Sequence, residues 1–319
     1  MTSYKNGILI VIALALSAGS ATAVQSAKRT VRLLPASAAK NETVLVIVNH
    51  EKITEADLAR SLAFNAVPEE ERARVRQRFL NNLIDTRLIQ QFLKSRKTAA
   101  TKKEIDEQIS LLKNQLKPGK IDPEKALAER GFTTELLREQ FAVPLAWNHH
   151  IQRIATPEYV KKYFAEHRAE FDGTKVRTSQ IRIKVVGRDE EAWKAAEARM
   201  NSIRQKILDK KISFEDAARE YSEAPSKEQG GDLGWFPYAS KMPAVIAREA
   251  FRLKVGEMSQ PFRTTFGVHL CLVTDRKPGD LSLEDVRDDL LARMREELWN
   301  EKAAELRQAA TIEWSTEKP

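Results

Sequence analysis

Residues 214–236 read FEDAAREYSEAPSKEQGGDLGWF, and no other stretch of this 319-residue chain restricts the fold as much. Ser213 precedes the stretch and Asp216 follows three residues later, which is the arrangement of a helix N-cap. Beyond the predicted helix, proline, serine and glycine residues predict a loop from Ser222 to Gly234, because they favour turns over regular structure. The stretch therefore predicts a short helix followed by a glycine-rich loop.

The flanking sequence places this stretch inside a mixed block of strands and helices. On its N-terminal side, Val176 to Val185 alternates as a strand and Asp189 to Asp209 is predicted as a helix. On its C-terminal side we predict a helix over Pro243 to Phe251 and strands around residues 259–263 and 268–274. About a hundred residues thus form one α/β domain, a common domain size.

The sequence before this block is mostly helical. Thr43 to Val48 is an apolar, β-branched run that predicts a buried strand, and Asn49 to Lys52 is predicted as a turn. Apolar residues then recur at helical spacing and predict about five amphipathic helices, the last from Pro157 to Phe171. After the block, Ser282 to Ala309 is predicted as a long helix and Thr311 to Trp314 as a short strand.

Four segments of the α/β block form an ordered set: Phe214 to Ser222, Gly230 to Phe236, Glu249 to Glu257 and Phe266 to His269. In this order and at this spacing they resemble a parvulin, a prolyl cis/trans isomerase domain. Because four ordered motifs cover a hundred residues, this resemblance is far more specific than any single motif.

The helical flanks resemble the N-terminal module of SurA/PrsA-type folding factors, matched by pattern more than by motif. In that architecture the last helix and strand return to the N-terminal module, which implies that Thr311–Trp314 pairs with Leu45–Val48. The implied fold class is α+β, with a mainly helical SurA-like module completed by the C-terminal helix and strand, plus a parvulin-like α/β domain. The implied bounds are 1–23 for a signal peptide, 24–43 for a flexible basic tail, 44–172 for the helical chaperone module, 173–279 for the parvulin-like domain and 280–319 for the returning helix and strand.

The resemblance also implies a substrate site. Rotation about an X-Pro bond crosses a barrier of roughly 20 kcal/mol without breaking a bond, so the site needs only a proline slot and polar groups that tolerate a twisted amide. The slot of a parvulin is built from a leucine, a methionine and a phenylalanine. The corresponding positions here are Leu233, Met242 and Ile246, so an aliphatic side chain replaces the aromatic ring.

Beneath the slot, a parvulin has a network of two histidines and an aspartate or cysteine. His269 matches the second histidine, whereas Gln180 stands at the first and Ala224 at the acid or thiol. The amide of Gln180 can still donate and accept hydrogen bonds, but the side chain of Ala224 can do neither. Two interpretations stay open: a weak isomerase, or a pseudo-enzyme kept as a peptide-binding or spacer module.

Other interpretations of single residues in this region also stay open. His269 alone is compatible with a core histidine whose hydrogen bonds are satisfied. Trp235 and Phe236 are compatible both with core positions and with the wall of a substrate groove.

The N-terminal residues are typical of a secretory signal. Lys5 precedes an apolar run from Ile8 to Leu16, and Ala21-Thr22-Ala23 supplies the small residues of a cleavage site. The run is shorter than the roughly 20 apolar residues that span a bilayer. We therefore expect a mature chain that begins near Val24, carries no integral membrane segment and is soluble in the periplasm.

The net charge of +8 raises the question of nucleic-acid binding. The predicted signal and tail account for half of this excess, and the remainder is spread over helices of mixed sign, which is typical of a solvated surface. Because the export signal also directs the chain away from DNA and RNA, no nucleic acid is expected as a partner.

The residues that commonly bind metals or form disulfides are sparse. Cys271 is the single cysteine, which excludes an internal disulfide, and its position between leucines predicts a buried strand residue. The adjacent His149 and His150 would point about 100° apart on a helix and could not chelate one ion together. No metal and no other cofactor is expected.

These inferences predict a periplasmic chaperone that binds unfolded or nascent exported polypeptides, with outer-membrane proteins among the expected clients. Because the chain has no ATP-binding motif, the holding of clients would be passive. The attached isomerase domain is predicted to have weak or lost activity. A fully active periplasmic prolyl isomerase is the enzymatic alternative, and a non-catalytic adaptor for one specific partner is the interaction alternative.

Overall fold

The computed structural model describes residues 42–65, 67–116, 122–128, 132–187 and 189–315. The chain divides into two compact units, one formed by the residues up to Pro157 together with those from Leu291 onward, the other continuous from Glu158 to Leu290. The predicted signal peptide and most of the predicted tail lie outside the described residues. Within those residues, no helix combines the length and the apolar character needed to cross a membrane.

The first unit, called the helical unit below, contains a small sheet and mostly long helices. Its elements are β1 (Val44–Val48), β2 (Glu51–Thr54), α1 (Glu55–Phe64), α2 (Glu69–Ser95), α3 (Lys102–Leu116), α4 (Pro123–Ala128) and α5 (Thr134–Ile154), followed after the second unit by most of α11 (Arg287–Ala309) and β7 (Ile312–Trp314).

The sheet of the helical unit joins segments from both ends of the described chain, in the order β2-β1-β7. Strand β7 pairs antiparallel with β1, with Val46 opposite Trp314 and Val48 opposite Ile312. The pairing that the family resemblance implied is therefore confirmed. Val46 and Val48 are fully buried against Ile84 and the other apolar residues of α2, and Ile312 packs against the same cluster.

The β1–β2 hairpin corrects one prediction. The predicted turn over residues 49–52 ends at His50, and Glu51 already belongs to β2. Asn49 and His50 have φ values of 48° and 72°, so this two-residue turn uses the left-handed backbone conformation that tight hairpins need at both positions. Because the turn is so short, the strand resumes at once and buries Ile53.

Helix caps in this unit follow the sequence signals. The backbone N–H of Thr54 donates to the Asp57 carboxylate at 2.8 Å, and Asp57 N–H donates back to the Thr54 hydroxyl at 3.3 Å. Thr101 and Glu104 form the same reciprocal pair at 2.8 and 3.3 Å at the start of α3. Both pairs satisfy backbone donors that a helix N-terminus leaves without intrahelical partners.

The second unit, called the parvulin-like unit below, holds a four-stranded antiparallel sheet in the order β4-β3-β6-β5. Its elements are α6 (Pro157–Glu166), α7 (Arg168–Phe171), β3 (Lys175–Ile183), α8 (Glu190–Leu208), α9 (Phe214–Tyr221), a 3₁₀ helix (Pro225–Gln229), β4 (Asp232–Pro237), α10 (Ala244–Arg252), β5 (Phe262–Thr264) and β6 (Gly267–Lys277).

Two apolar clusters cover parts of this sheet. One joins Ile181 and Leu270 of the central strands to Met200 of α8 and Phe214 of α9. The other joins the sheet to α10 and contains Phe236. Cys271 is completely buried, and burial raises the pKa of its thiol to about 12, so it behaves as the small apolar residue that the sequence predicted.

Three predicted boundaries in this unit are wrong. The predicted loop from Ser222 to Gly234 ends early, because β4 already begins at Asp232. The predicted helix from Pro157 to Phe171 is interrupted at His167. The last helix begins at Arg287 instead of Ser282, although Ser282 and Asp285 do form a reciprocal pair of capping hydrogen bonds.

The division into units also differs from the predicted domain bounds, which assigned α6 and α7 to the helical module. In α6, the ring of Tyr163 stacks on His167 with centroids 4.3 Å apart and lies 6.5 Å from Phe171. The segment after α7 is tied to the end of the parvulin-like unit, because Leu281 N–H donates to the Asp172 carbonyl at 3.0 Å. From Glu158 onward, α6 and α7 therefore belong to the second unit.

Candidate functional site

The central strands β3 and β6 bring Gln180 and His269 together. Arg182 lies opposite His269 in the antiparallel register, so Gln180 is a diagonal neighbour of the histidine on the same face of the sheet. The Oε1 atom of Gln180 lies 3.1 Å from Nδ1 of His269. Both side chains are buried, with His269 2% and Gln180 8% exposed. The glutamine thus makes a hydrogen bond to His269 from the position at which the resemblance to parvulins implies a histidine.

Thr264 of the edge strand β5 completes this network. Its hydroxyl oxygen lies 2.8 Å from Nε2 of His269, and the N–H of Phe266 donates to the same oxygen at 3.0 Å. Because the amide oxygen of Gln180 can only accept, Nδ1 of the histidine carries the proton, and Nε2 accepts from the Thr264 hydroxyl. The imidazole is therefore held in one tautomer by two hydrogen bonds.

Sequence reasoning missed Thr264. The signal that could have found it is the hairpin between β5 and β6, in which Thr264 lies opposite Gly267, two residues before His269. A side chain at that position can reach the ring from the neighbouring strand.

The electrostatic surroundings keep His269 neutral. Burial, and to a smaller extent the charge of Arg182, lowers the pKa of His269 to about 4. The ring of Phe262 stacks on the imidazole with centroids 5.6 Å apart and covers one face. At neutral pH the histidine is an uncharged, hydrogen-bonded part of the sheet, so it cannot serve as a cationic or acidic group there.

The segment around Ala224 is tied to β3 through a serine. Ser222 Oγ accepts hydrogen bonds from the backbone N–H of Arg182 and from that of Ala224, each at 3.2 Å. Ala224 itself is 6% exposed, so a buried methyl group stands where the resemblance to parvulins implies an acid or a thiol. The backbone is fixed, but Ala224 contributes no polar side chain to the site.

The three predicted slot residues do not have the same exposure. Leu233 of β4 and Met242, which precedes α10, both pack against the apolar cluster that contains Ala247, and both stay partly exposed. Ile246 in α10 is only 3% exposed. Leu233 and Met242 can therefore present apolar surface to a ligand, whereas Ile246 has almost no surface to present.

The two aromatic residues of β4 have different roles. Phe236 is 5% exposed and belongs to the apolar cluster between the sheet and α10, so of the two interpretations left open it takes the core position. Because side chains alternate along a strand, Trp235 points the other way and is partly exposed. The ammonium group of Lys277 lies 4.3 Å from the centre of its ring.

The glycine pair before β4 permits the close approach of β4 to β3. Gly231 has φ of 86°, and its carbonyl accepts the N–H of Gln180 at 2.9 Å. A Cβ atom at Gly231 would lie 2.4 Å from the carbonyl oxygen of Gln180. Only glycine fits this position without displacing the strand that carries Gln180.

Metal ligation finds no support within the described residues, where no group of three potential ligand side chains is close enough to hold an ion. The adjacent histidines of α5 diverge, as predicted. The ring of His149 approaches Glu104 Oε1 at 2.7 Å, whereas that of His150 packs on Phe92 with centroids 5.1 Å apart.

Comparison with known proteins places this site in a family. The PPIC-type PPIase (rotamase) domain family matches residues 181–275, which include Ala224 and His269. Foldase protein PrsA of Bacillus subtilis is 30% identical over 221 residues, which cover 69% of this chain and 67% of that protein. The chain belongs to the PrsA/SurA family of foldases.

Two further relatives of this PrsA/SurA-family foldase match either a smaller share of the chain or the chain at lower identity. Chaperone SurA of Methylobacillus flagellatus is 34% identical over 150 residues, 46% of this chain and 33% of that protein. The crystal structure of the peptidylprolyl isomerase PrsA from Bacillus anthracis aligns at 22% identity with a TM-score of 0.39, over 72% of this chain and 94% of its own. The predicted resemblance is confirmed by the domain-family match and by the PrsA relative, and the α+β fold class is confirmed by the helices and antiparallel sheets described above.

Proposed function

We propose that this foldase acts in the periplasm, where it binds unfolded or nascent exported polypeptides, and that its parvulin-like unit has weak or no isomerase activity. Membership in a family of foldases and chaperones supports the binding of polypeptides. The signal-like residues before position 24 support export, with outer-membrane proteins as one class of client. Clients would be held passively, because no ATP motif is present in the sequence.

The observation that carries the proposal on activity is the altered polar network. Of the three polar positions expected in a parvulin, only His269 retains the family residue. Its nitrogens are occupied by Gln180 and Thr264, and the buried Ala224 provides neither a charge nor a hydrogen bond. A transition state for amide rotation is stabilised only by groups that interact with it more strongly than with the planar amide. A neutral network whose hydrogen bonds are already satisfied internally contains few groups that could stabilise this transition state.

An active isomerase remains the second candidate, and one observation favours it. Gln180 keeps a 3.1 Å hydrogen bond to His269 and so preserves the link that the family makes with two histidines. Leu233 and Met242 also retain the family side chains and stay partly exposed. Catalysis by apolar binding of the proline ring and twisting of the amide would need no acid at position 224.

Two measurements on the full chain separate these candidates. The first follows cis/trans isomerisation of short X-Pro peptides, and the second follows aggregation of an unfolded client protein. We expect suppressed aggregation with isomerisation near the uncatalysed rate. Robust turnover that is lost in Met242→Ala, but kept in the control Val255→Ala, would show that prolyl isomerisation is the main activity of the protein. Val255 suits as a control because it lies in the same unit and is 54% exposed.

A further inference from the structure

The helical unit carries an array of aromatic rings where α2, α5 and α11 meet. The ring of Phe92 lies 5.1 Å from that of His150 in a T-shaped arrangement. The ring of Trp147 lies 5.2 Å from His150 and 5.5 Å from Trp299, the latter again T-shaped. Four rings from three helices therefore form one continuous contact series.

The array has a buried base and a partly exposed surface. Trp147 is buried, and its indole N–H donates to the Arg295 carbonyl at 3.2 Å, so this residue anchors the array. Phe92, His150 and Trp299 are each partly exposed. A ligand at the surface would meet the exposed parts of these three rings.

Cationic side chains surround the exposed rings. The guanidinium of Arg96 lies 5.6 Å and the ammonium of Lys302 lies 5.2 Å from the centre of the Phe92 ring. Arg153, one turn after His150, donates to the Thr98 hydroxyl at 3.0 Å. The residues Phe92, Trp147, His150 and Trp299, together with Arg96, Arg153 and Lys302, are called the cationic aromatic patch below.

The positive charges of the patch are only partly neutralised. Lys302 Nζ lies 2.5 Å from Glu305. Over the described stretches of the chain, neither Arg96 nor Arg153 forms an ion pair. Burial, and after it the charges of Lys302, Arg153 and Arg96, lowers the pKa of His150, which places all three cations within electrostatic reach of one ring.

Three cations around partly buried rings repel one another, and an anionic ligand would relieve that repulsion. We propose that the cationic aromatic patch binds acidic segments of unfolded polypeptides, in which carboxylates contact Arg96 and Arg153 and neighbouring apolar side chains contact the rings. This inference rests on the proposed function as a polypeptide-binding foldase and adds a preference among its clients. Charge complementarity of this kind sets partner choice and association rate more than total affinity.

A polypeptide fits the patch better than a single-stranded nucleic acid does. Nucleic-acid sites stack successive bases on open aromatic faces. Here the face of Phe92 lies beneath cationic groups, and Trp147 is buried. A side-chain carboxylate next to small apolar groups needs no open face of that size.

The test measures binding of three synthetic peptides to the full chain by calorimetry at low salt. The peptides share their apolar residues and differ only in four positions, which are all Glu, all Gln or all Lys. We expect the Glu peptide to bind most tightly and the Lys peptide most weakly. In the double variant Arg96→Glu with Arg153→Glu, the Glu peptide should bind about fivefold more weakly, the change expected from two surface charge pairs of ordinary strength.

A matched control has the same change in net charge outside the patch. Lys52→Glu with Lys125→Glu alters two exposed lysines of β2 and α4, and it should leave the order of the three peptides unchanged. Circular dichroism of both double variants verifies that they are folded. As a local reporter, the NMR titration of His150 in the wild-type chain should shift to higher pH with the Glu peptide and stay in place with the Lys peptide.

The outcomes distinguish this inference from the function on which it rests. Equal affinity for the three peptides overturns the inference, and so does an equal loss of affinity for the Glu peptide in the two double variants. If the protein still suppresses aggregation in either case, the proposed function stands. Absence of both peptide binding and aggregation suppression overturns both. If a single-stranded oligonucleotide binds more tightly than the Glu peptide, the ligand of the patch is a nucleic acid and the inference is overturned as well.

Discussion

The two units of the molecule are assembled from the chain in different ways. The parvulin-like unit is one continuous segment, from Glu158 to Leu290, whereas the helical unit is closed by residues from Leu291 onward. In the helical unit Asn49 N–H donates to Thr311 O at 3.0 Å, and Arg307 binds Asp85 and the Asn81 carbonyl. The helical unit therefore depends on contacts between residues more than 200 positions apart, and the parvulin-like unit does not.

The units also differ in how strictly single residues are specified. In the parvulin-like unit, Gly231 and Gly267 lie so close to neighbouring backbone that added Cβ atoms would stand 2.4 Å and 2.1 Å from carbonyl oxygens. The helical unit relies on apolar side chains at helical spacing, where Leu, Ile and Val can replace one another at modest cost. This difference explains why the family motifs concentrate in one unit.

The largest effect is expected from truncation after Leu290. The deletion removes the buried Leu291 and Met294 as well as strand β7. Each Leu-sized side chain contributes about 1.5–3 kcal/mol, so these two alone contribute about 3–6 kcal/mol, which reaches the lower end of the roughly 5–15 kcal/mol by which a domain is stable. Hydrogen exchange resolved along the chain should show the helical unit unprotected and the parvulin-like unit still protected.

The full-length chain measured under the same conditions is the control for this truncation, and it should show exchange protection in both units. Protection of α2 retained after truncation at Leu290 would contradict the dependence on distant contacts.

A smaller effect is expected from Gly231→Ala. The new methyl group must displace the backbone of Gln180, and overpacking of this kind costs about 1–3 kcal/mol in addition to the roughly 1–2 kcal/mol of a left-handed backbone conformation. Gly234→Ala is the matched control, because φ is 70° there and an added Cβ atom meets nothing within 4 Å. Chemical denaturation should show a loss for Gly231→Ala about twice that of the control. Equal losses would mean that the close approach contributes nothing.

The sequence predicted the helices and the β1–β7 pairing because apolar periodicity and the family resemblance both indicate them. It missed β2, because the Asn49-His50 turn contains neither glycine nor proline, although both residues have positive φ. It missed the first residues of β4, because Gly-Gly-Asp is typical of a loop. Thr264 was missed because its role depends on a cross-strand position, and such a contact leaves no local pattern.

The sequence also could not predict which side chains of the site are buried and which are exposed. Phe236 and Trp235 are adjacent and both aromatic, yet the register of β4 buries one and exposes the other. Which of the two faces the core depends on the register with β3, and that register is specified only through neighbouring strands.

The next effect in size concerns pH and acts on the parvulin-like unit alone. Because the pKa of His269 is about 4 in the folded state, against an ordinary value of 6.5, the neutral form is favoured by folding. The stabilisation is complete well above pH 6.5 and is lost as the pH falls toward 4, with a loss of roughly 2–3 kcal/mol at pH 4.5. His269→Gln should remove this part of the pH dependence, as measured by denaturation at a series of pH values. A wild-type profile that is flat from pH 7 to 4.5 would refute the assignment.

The smallest effect concerns catalysis. Gln180→His, Ala224→Asp and Ile246→Phe together restore the family residues and should raise isomerase activity about tenfold, which requires about 1.4 kcal/mol of transition-state stabilisation. Because a polar network acts as a unit, each single change should give less. Ala224→Asn instead of Asp is the matched control, since it has the same shape without the charge. Activity that stays unchanged in the folded triple variant would show that the missing residues are not the cause of weak activity.

The pairing of β1 with β7 has a mechanical consequence. The two strands run antiparallel, and Ser315 N–H donates to Leu45 O at 2.9 Å, so the chain enters β1 and leaves β7 at the same end of the pair. A pulling force applied at residues 43 and 315 would therefore load this seam one hydrogen bond at a time, in the manner of a zipper. Until the seam opens, the backbone hydrogen bonds between β1 and β7 bear the load, and the intervening chain, which includes the whole parvulin-like unit, stays mechanically shielded.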